Sequence, residues 1–440
     1  MKILFIHQNF PGQFKFLAPA LVQRGHEVRA LTMRKVDAPD WRGVQLSTYG
    51  AARGSTPGVH PWVSDFETKT IRAEACFRAA LRLKQGGYEP DLIMAHPGWG
   101  ESLFIKDVWP GAKLAIYCEF FYQPQGADVG FDPEFPDNDE GTPLRLRLKN
   151  LNHQLHFAMA DAGIAPTQWQ ASVFPQAFRE KIAVIHDGID TVAIAPKPDV
   201  RLQSGSGLVL TRENEVVTFV NRNLEPYRGY HIFMRSLPRL LKERPNAHVL
   251  IVGGDGVSYG ARAPEGKTWK ALFASEVHPH IPDADWQRVH FLGNLPYEQF
   301  VPLLQLSTVH VYLTYPFVLS WSLLEAMSAG CAIVASDTAP VREVIRHDET
   351  GLLVDFFDPE ALAVSVAGLL ADPLRRERLG RRARECAVAQ FDLQSSCLPA
   401  QLRWVESLVG GDGVTTAGSA SAGQYGDVAP TDPDEPESTS

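Results

Sequence analysis

Cysteine is scarce in this chain: five among 440 residues, at positions 76, 118, 331, 386 and 397, with no CxxC pair and no Cys/His metal spacing. That scarcity excludes a disulfide-stapled scaffold and a structural zinc module. The expectation is buried free thiols in a reducing compartment. Long apolar runs are missing too. The opening Met1–Ile6 is apolar for only a few residues before His7 and Gln8. That is too short for the apolar core of a secretion signal, and no later stretch reaches the roughly 18 residues of a membrane span. A cytoplasmic protein is expected, with at most weak peripheral contact at the inner face of the membrane. Positive charge is in deficit, at a formal net charge of −9. A large nucleic-acid footprint needs a basic face and is therefore excluded, whereas a local basic pocket for a small phosphate is not. A GxGxxG fingerprint is absent; a single Gly12 follows the first apolar run.

What is present is an ordinary globular composition, 45% hydrophobic and 21% charged, long enough for two or three domains with a core in each. Strand and helix signals alternate. Residues 2–6 read as a buried strand, broken by Pro11 and Gly12. Phe14 to Arg24 carries Phe14, Leu17 and Leu21 at helical spacing with Gly25 behind it, and Val28 to Leu31 is the next strand. A strand, glycine turn, helix and strand imply a parallel sheet with a right-handed crossover. Further short strands are read at 91–95, 114–117, 163–165 and 182–185. The acidic, Gly- and Pro-rich stretch 126–143 reads as a surface loop near a cleft. A second series follows: strands at 216–220, 248–252, 289–292, 309–313 and 332–335, with helices at 232–241 and 322–328. The Pro- and Gly-containing segment 195–208 joins the two series. Arg375 to Arg384 reads as a solvated basic face on a late helix, with a membrane-surface patch as the alternative. Leu398 to Leu408 is a last amphipathic helix. The tail to Ser440 is too poor in apolar residues to order itself. Two doubly wound domains place ligands at the carboxyl ends of their strands, in the cleft between them.

Four constellations sit at such strand ends. Ser320 is an N-cap residue at a strand-to-helix junction, so the amides near Trp321 and Ser322 offer a diphosphate site, and Glu325 one turn on has a carboxylate for ribose hydroxyls; a capped helix with a surface Glu is the plainer reading. Arg222 and Arg228 flank one loop and can fork around phosphate oxygens, or form a solvated turn. Gly12, with Gln13 beside it, allows a ligand close to the backbone, or is a turn glycine. His96, on a Pro-Gly-Trp-Gly loop, and Glu119 can hold or deprotonate a sugar hydroxyl; the alternatives are a structural histidine and a carboxylate that holds Tyr117 or Tyr122.

On these residues the chain resembles the retaining glycosyltransferases of family 4, which have the GT-B fold. The likeness rests on Met1 to Gly12 with Arg24-Gly25-His26-Glu27-Val28, on Val184 to Asp190, which is similar to an "IPNGVD" run, and on Glu325 to Gly330, Val334 to Asp337, Glu343 and Gly351 to Val354. The resemblance implies that the positions of Arg222 and Arg228 hold the donor diphosphate, although the second is usually Lys and the spacing here is one residue longer. It implies ribose binding at Glu325, phosphate at the amides of Ser320 and Trp321, the nucleotide base by Gly293, Asn294 and Leu295, and the transferred sugar at His96; Gly253, which closes the strand at 248–252, is counted with the donor-binding residues. No metal is required in such enzymes, since cationic side chains and a helix dipole take its place. One departure stands out. The family pairs two glutamates with seven residues between them, and the position counted back from Glu325 is Phe317. Glycines usual at Val318 and Ser320 are also absent.

The expectation is therefore an α/β protein with two Rossmann-like halves: an acceptor domain over 1–195, a nucleotide-sugar domain over 209–390, a crossover helix over 391–408 and a disordered acidic tail over 409–440. It would move a hexose-type sugar from a nucleotide diphosphate, UDP- or GDP-linked, to a glycan, lipid-linked or small-molecule acceptor with retention, using no cofactor and no nucleic acid. A non-hydrolysing nucleotide-sugar epimerase and a degenerate glycan- or nucleotide-sugar-binding protein are the rivals.

Overall fold

A computed structural model describes residues 1–203 and 209–410; part of the expected linker and all of the expected tail beyond 410 lie outside the described residues. The alternation of strands and helices builds two sheets. The first runs β1 (Lys2–Ile6), β2 (Glu27–Thr32), β3 (Asp40–Trp41), β4 (Val44–Thr48), β5 (Leu92–Ala95), β6 (Lys113–Tyr117), β7 (Ala162–Ala165) and β8 (Ile182–Val184). Its spatial order is β3-β4-β2-β1-β5-β6-β7-β8, parallel except for the β3–β4 pair. Strands β1 and β5 are short and nearly all buried, as parallel strands covered on both faces must be. A small hairpin, β9 (Arg201–Gln203) with β10 (Val209–Thr211), precedes the second sheet. That sheet contains β11 (Val216–Asn223), β12 (His248–Gly254), β13 (Val289–Gly293), β14 (Val309–Tyr312), β15 (Ala332–Ser336) and β16 (Leu352–Val354), in the order β13-β12-β11-β14-β15-β16, all parallel.

Each sheet reverses its direction of growth at its first strand, between β1 and β5 and between β11 and β14. The carboxyl ends of neighbouring strands diverge at such a point and leave a crevice. His7 and His96 follow β1 and β5; Arg222 ends β11, and the segment 313–320 follows β14.

Among the contacts that join the halves in the described residues, two involve whole segments of chain. At the first, the chain passes back: Ile189 N–H donates to Phe391 O and Leu393 N–H to Ile189 O, both at 2.8 Å. Gly188, at φ +92°, admits this crossing, since a Cβ there would stand 2.7 Å from Leu393 Cδ1. The helix Leu398–Val409 then lies on the N-terminal half, with Leu402 and Val405 buried among Phe14, Leu17 and Leu21, and Glu406 paired with Arg24. The second connection corrects the reading of 126–143 as a plain surface loop. This segment is a strap onto the C-terminal half. Phe131 packs 5.1 Å from Tyr315, and Phe135 5.3 Å from Trp269. Asp128 accepts from the Tyr227 hydroxyl and Asp132 from the Tyr315 hydroxyl, each at 2.6 Å. Glycine, proline and acid content masked the two phenylalanines that do the packing.

Other departures are local. The first expected helix is a tight turn at Gly12–Phe14 followed by a helix over Leu17–Gln23. The run from Arg375 is not a bare solvated face: Arg375 and Arg378 meet Asp348, while Arg376 and Arg384 donate to the carbonyl ends of helices at Leu370 and Ser328. All five cysteines are free, four buried and Cys386 half-buried.

Candidate functional site

The C-terminal wall starts at the end of β11, where the register slips between Val220 and Asn223. An irregularity of that kind re-aims a strand's last side chains. Arg222 is exposed there. The chain then turns through Pro226–Arg228, and Gly229 at φ +69° lets the turn press on Leu313, the residue that follows β14, since a Cβ would stand 2.3 Å from that of Leu313. This contact seats Arg228, 5% exposed, whose Nη1 donates to Thr314 Oγ1 at 2.7 Å, Val318 O at 3.1 Å and the Tyr312 hydroxyl at 3.4 Å. The helix Trp321–Ser328 begins beside it. Ser320 is its N-cap, with Oγ accepting from Ser322 N–H at 3.3 Å, and Ser320 N–H is held by the Tyr312 hydroxyl at 2.9 Å. A cavity of about 330 Å³ opens over these groups, with Asn294 and Leu295 on its far side. A second, of about 190 Å³, continues toward the N-terminal half and shares Arg222, Arg228 and Ser320 with the first.

The N-terminal wall is a directional hydrogen-bond chain. Asn9 N–H donates to His7 Nδ1 at 3.0 Å, so His7 Nε2 carries the proton and faces Gln13 Oε1 at 2.8 Å. Gln13 Nε2 in turn donates to Glu119 Oε1 at 3.3 Å. Burial, and then the neighbouring His96, push the His7 imidazole down to about 3, which keeps it neutral. Gly12, at φ +49°, lies against that ring: a Cβ would meet His7 Nε2 at 2.2 Å. The close approach expected at Gly12 is thus made by His7. His96 is 2% exposed, its Nδ1 accepting from Gly98 N–H, its ring stacked between Trp99 and Tyr117, and its Nε2 3.4 Å from Glu119 Oε2. Burial acts to raise the Glu119 carboxyl, but His96, His7 and Arg222 outweigh it and hold it below the usual range. Its side chain keeps 42% of its exposure, toward the smaller cavity.

Of the residues singled out in the sequence, Arg222, Arg228, Ser320, Ser322, Asn294 and Leu295 line the larger cavity, and Gln13, Glu119 and Trp321 the smaller one. The remainder stand behind these walls. Glu325 is 5% exposed, one turn into its helix, with Oε1 accepting from the Tyr297 hydroxyl at 2.9 Å; burial raises its carboxyl. Phe317 is 5% exposed in an aromatic group with Phe120, Tyr227 and Tyr259, at 4.5, 5.1 and 5.1 Å. Gly253 abuts Leu224, and Gly293, at φ +66°, turns the chain into Asn294.

Three residues that the sequence did not single out complete the site. Asp187, 5% exposed, accepts from the Tyr117 hydroxyl at 2.9 Å and from Trp321 Nε1 at 2.9 Å, so one carboxyl ties both halves at the cleft floor. Burial pushes it up to about 6 against those two hydrogen bonds. Lys15 reaches over the Trp321 ring at 4.3 Å. Tyr259 lines both cavities. Asp187 and Tyr259 lie three and five residues past the carboxyl ends of β8 and β12, a position that is their structural signal in the sequence, whereas Lys15 comes nine residues after β1, beyond the Gly12–Phe14 turn. Among the described residues, no group of three or more His, Cys, Asp or Glu is arranged to hold a metal ion, and no helix is long and apolar enough to cross a membrane.

Comparison with known proteins matches residues 24–194 to the Glycosyl transferase family 4 group and residues 208–386 to Glycosyl transferases group 1. A D-inositol 3-phosphate glycosyltransferase of Corynebacterium efficiens is 30% identical over 318 residues, 69% of this chain and 68% of that one. A GDP-mannose-dependent alpha-(1-6)-phosphatidylinositol monomannoside mannosyltransferase of Mycolicibacterium smegmatis is 27% identical over 400 residues, 88% of this chain and 94% of that one. Among solved structures, HepE of Anabaena in complex with UDP and glucose aligns at a TM-score of 0.64 and 19% identity, covering 92% of this chain and 100% of that one. Sucrose-phosphate synthase of Thermosynechococcus elongatus aligns at 0.67 and 19%, covering 93% and 100%. At such identities the likeness is one of fold.

Proposed function

The chain belongs to the family 4, group 1 glycosyltransferases, and from that premise we propose that it moves a hexose-type sugar from a UDP- or GDP-linked donor, held on the C-terminal wall, to a hydroxyl of a saccharide or lipid-linked acceptor on the N-terminal wall, with retention. The observation that carries this reading is the convergence of Arg222, Arg228 and the Ser320 helix start on two adjoining cavities. Negative charge grows on the diphosphate as the glycosidic bond breaks. Guanidinium groups and helix amides already in place stabilise that charge without reorganising. Arg222 has an exposed side chain free to turn to phosphate oxygens, while Arg228 is fixed by three acceptors and presents the rest of its guanidinium to the same space. On the other wall Glu119, ionised and aimed into the smaller cavity, accepts a hydrogen bond from the incoming hydroxyl. Work at the inner face of a membrane fits a lipid-linked acceptor and rests on that choice of acceptor.

Arg222→Ala tests the reading with little structural loss, because the exposed side chain makes no hydrogen bond or ion pair among the described residues, and its one further effect is to remove a charge that lowers the Glu119 carboxyl. A thermal-shift screen over UDP-, GDP- and ADP-sugars identifies the donor, since a ligand of the folded state raises Tm. The variant should keep its Tm without ligand, lose most of the shift, and lower kcat/KM at least about tenfold, or about 1.4 kcal/mol of transition-state stabilisation. An unchanged shift and rate would remove the phosphate role. NMR of the product's anomeric proton tests retention.

A further inference from the structure

Between β12 and the helix Trp269–Val277 runs a loop, residues 255–268, which contributes Ser258 and Tyr259 to the larger cavity. Its tether is Glu225. This carboxylate is 1% exposed and takes backbone amides as partners: Ser258 N–H donates at 3.1 and 3.3 Å, Tyr259 N–H at 3.3 Å and Gly260 N–H at 3.1 Å. Consecutive amides that face one point form a concave anion site, and here the protein's own side chain fills it. A carboxylate so far out of water is tolerated only where such donors converge. Asn223 Nδ2 adds a second tether, to Ser258 Oγ at 2.7 Å.

The group so positioned is Tyr259. It is 40% exposed, its ring centroid lies 5.1 Å from Arg228 Cζ and 5.1 Å from the Phe317 ring, and it borders both cavities. It therefore stands where donor and acceptor meet. Resting on the reading that the larger cavity takes the donor, we propose that Tyr259 contacts the transferred sugar, and that Glu225 is a positioning residue that acts through it by fixing the 258–260 turn over the bond to be broken. An aromatic ring with a hydroxyl suits that place: its face covers sugar C–H groups and sheds water, and its O–H reaches a sugar or phosphate oxygen.

The test is a double-mutant cycle on the full chain with Glu225→Gln, Tyr259→Ala and both together. UDP-glucose or GDP-mannose serves as donor, whichever raises Tm more, and both transfer and acceptor-free donor hydrolysis are measured. Glu225→Gln should lower kcat about tenfold with the donor KM within about threefold, and raise the share of donor lost to hydrolysis. The double variant should stay within about twofold of Tyr259→Ala alone, because the anchor has nothing left to position. Losses that multiply, to about a hundredfold in the double variant, or a Tyr259→Ala enzyme within about twofold of the parent, would overturn the assignment. Should Glu225→Gln fail to fold, Ser258→Ala cuts the second tether; its smaller loss must vanish in the Tyr259→Ala background, and persistence there counts equally against the anchor. If neither donor shifts the parent's Tm, the donor reading itself falls; if one does and the cycle is additive, the anchor alone falls.

Discussion

The C-terminal wall of the cleft meets the cavities with guanidinium groups and helix amides, the N-terminal wall with an ionised carboxylate backed by imidazoles. Each wall is immobilised from behind by a different device. Arg228 is held by a hydroxyl and a carbonyl of the segment after β14, a few residues from the helix it works with. Glu119 is held by a chain through Gln13 to His7, contributed by strands far apart in sequence. The contrast fits the two charges a glycosyl transfer must manage: a diphosphate that becomes more negative on leaving, and a hydroxyl that gives up a proton on arriving.

The hardest blow to this contrast is Arg228→Ala. It removes a cation from the leaving-group side and leaves Thr314 Oγ1 and Val318 O without their donor. A loss of about a hundredfold or more in kcat/KM is expected, with a clear fall in Tm, because the removed group is both a transition-state partner and a buried hydrogen-bond hub. Arg228→Lys should recover part of the rate and little of the stability, since an ammonium keeps the charge but lacks the planar guanidinium whose Nη1 meets Thr314 and Val318 while the rest faces the cavities. If the alanine variant lost stability but kept its rate per folded molecule, the wall would be structural. Glu119→Gln attacks the other wall and should cost about thirtyfold in kcat/KM for the acceptor with donor binding intact. Because the Glu119 carboxyl lies below the ordinary 4.5, it stays ionised through neutral pH; an acid limb that belongs to it falls below that value and disappears in the variant.

The two walls were unequally legible in the sequence. Ser320 capping a helix and Arg222 at a strand end are local signals, readable from residue type and neighbours. The pairing of Gln13 with Glu119 spans 106 positions, and no spacing rule announces it. The strap at 128–135 looked like solvent-facing loop because its acids and prolines outnumber its two aromatics, and only the surface around Tyr315 and Trp269 shows what those aromatics are for. Glu225 sat in plain view between two arginines, but its partners lie 33 to 35 positions on, in a loop whose fold is set by that very contact. Phe317 was noticed only as a departure from the resemblance; its packing against Phe120 of the other half is a product of tertiary structure.

Asp187 joins the walls and tests them together at smaller scale. Its carboxyl is raised by burial from 3.8 to about 6. A raised carboxyl favours the folded state below its unfolded value, and that stability is lost as pH rises through about 6. Denaturation followed from pH 4 to pH 7 should therefore show a decline on the order of 2 kcal/mol from this group, and Asp187→Asn should flatten it. An unchanged profile would place the charge elsewhere on the floor. The smallest expected effect is that of Ser320→Ala. The serine hydroxyl accepts from Ser322 N–H at a long 3.3 Å and shares a 3.0 Å contact with Ser322 Oγ, whereas the Ser320 amide is held by Tyr312 whatever the side chain. Alanine thus removes one weak cap, worth about 1 kcal/mol or less, and leaves the amides that face the cavity in place. Calorimetry should show that small loss, and kcat/KM should fall only about two- to fivefold. A fall of more than about a hundredfold would mean that the hydroxyl itself binds the leaving group, and that the C-terminal wall depends on a side chain where its backbone was thought to suffice.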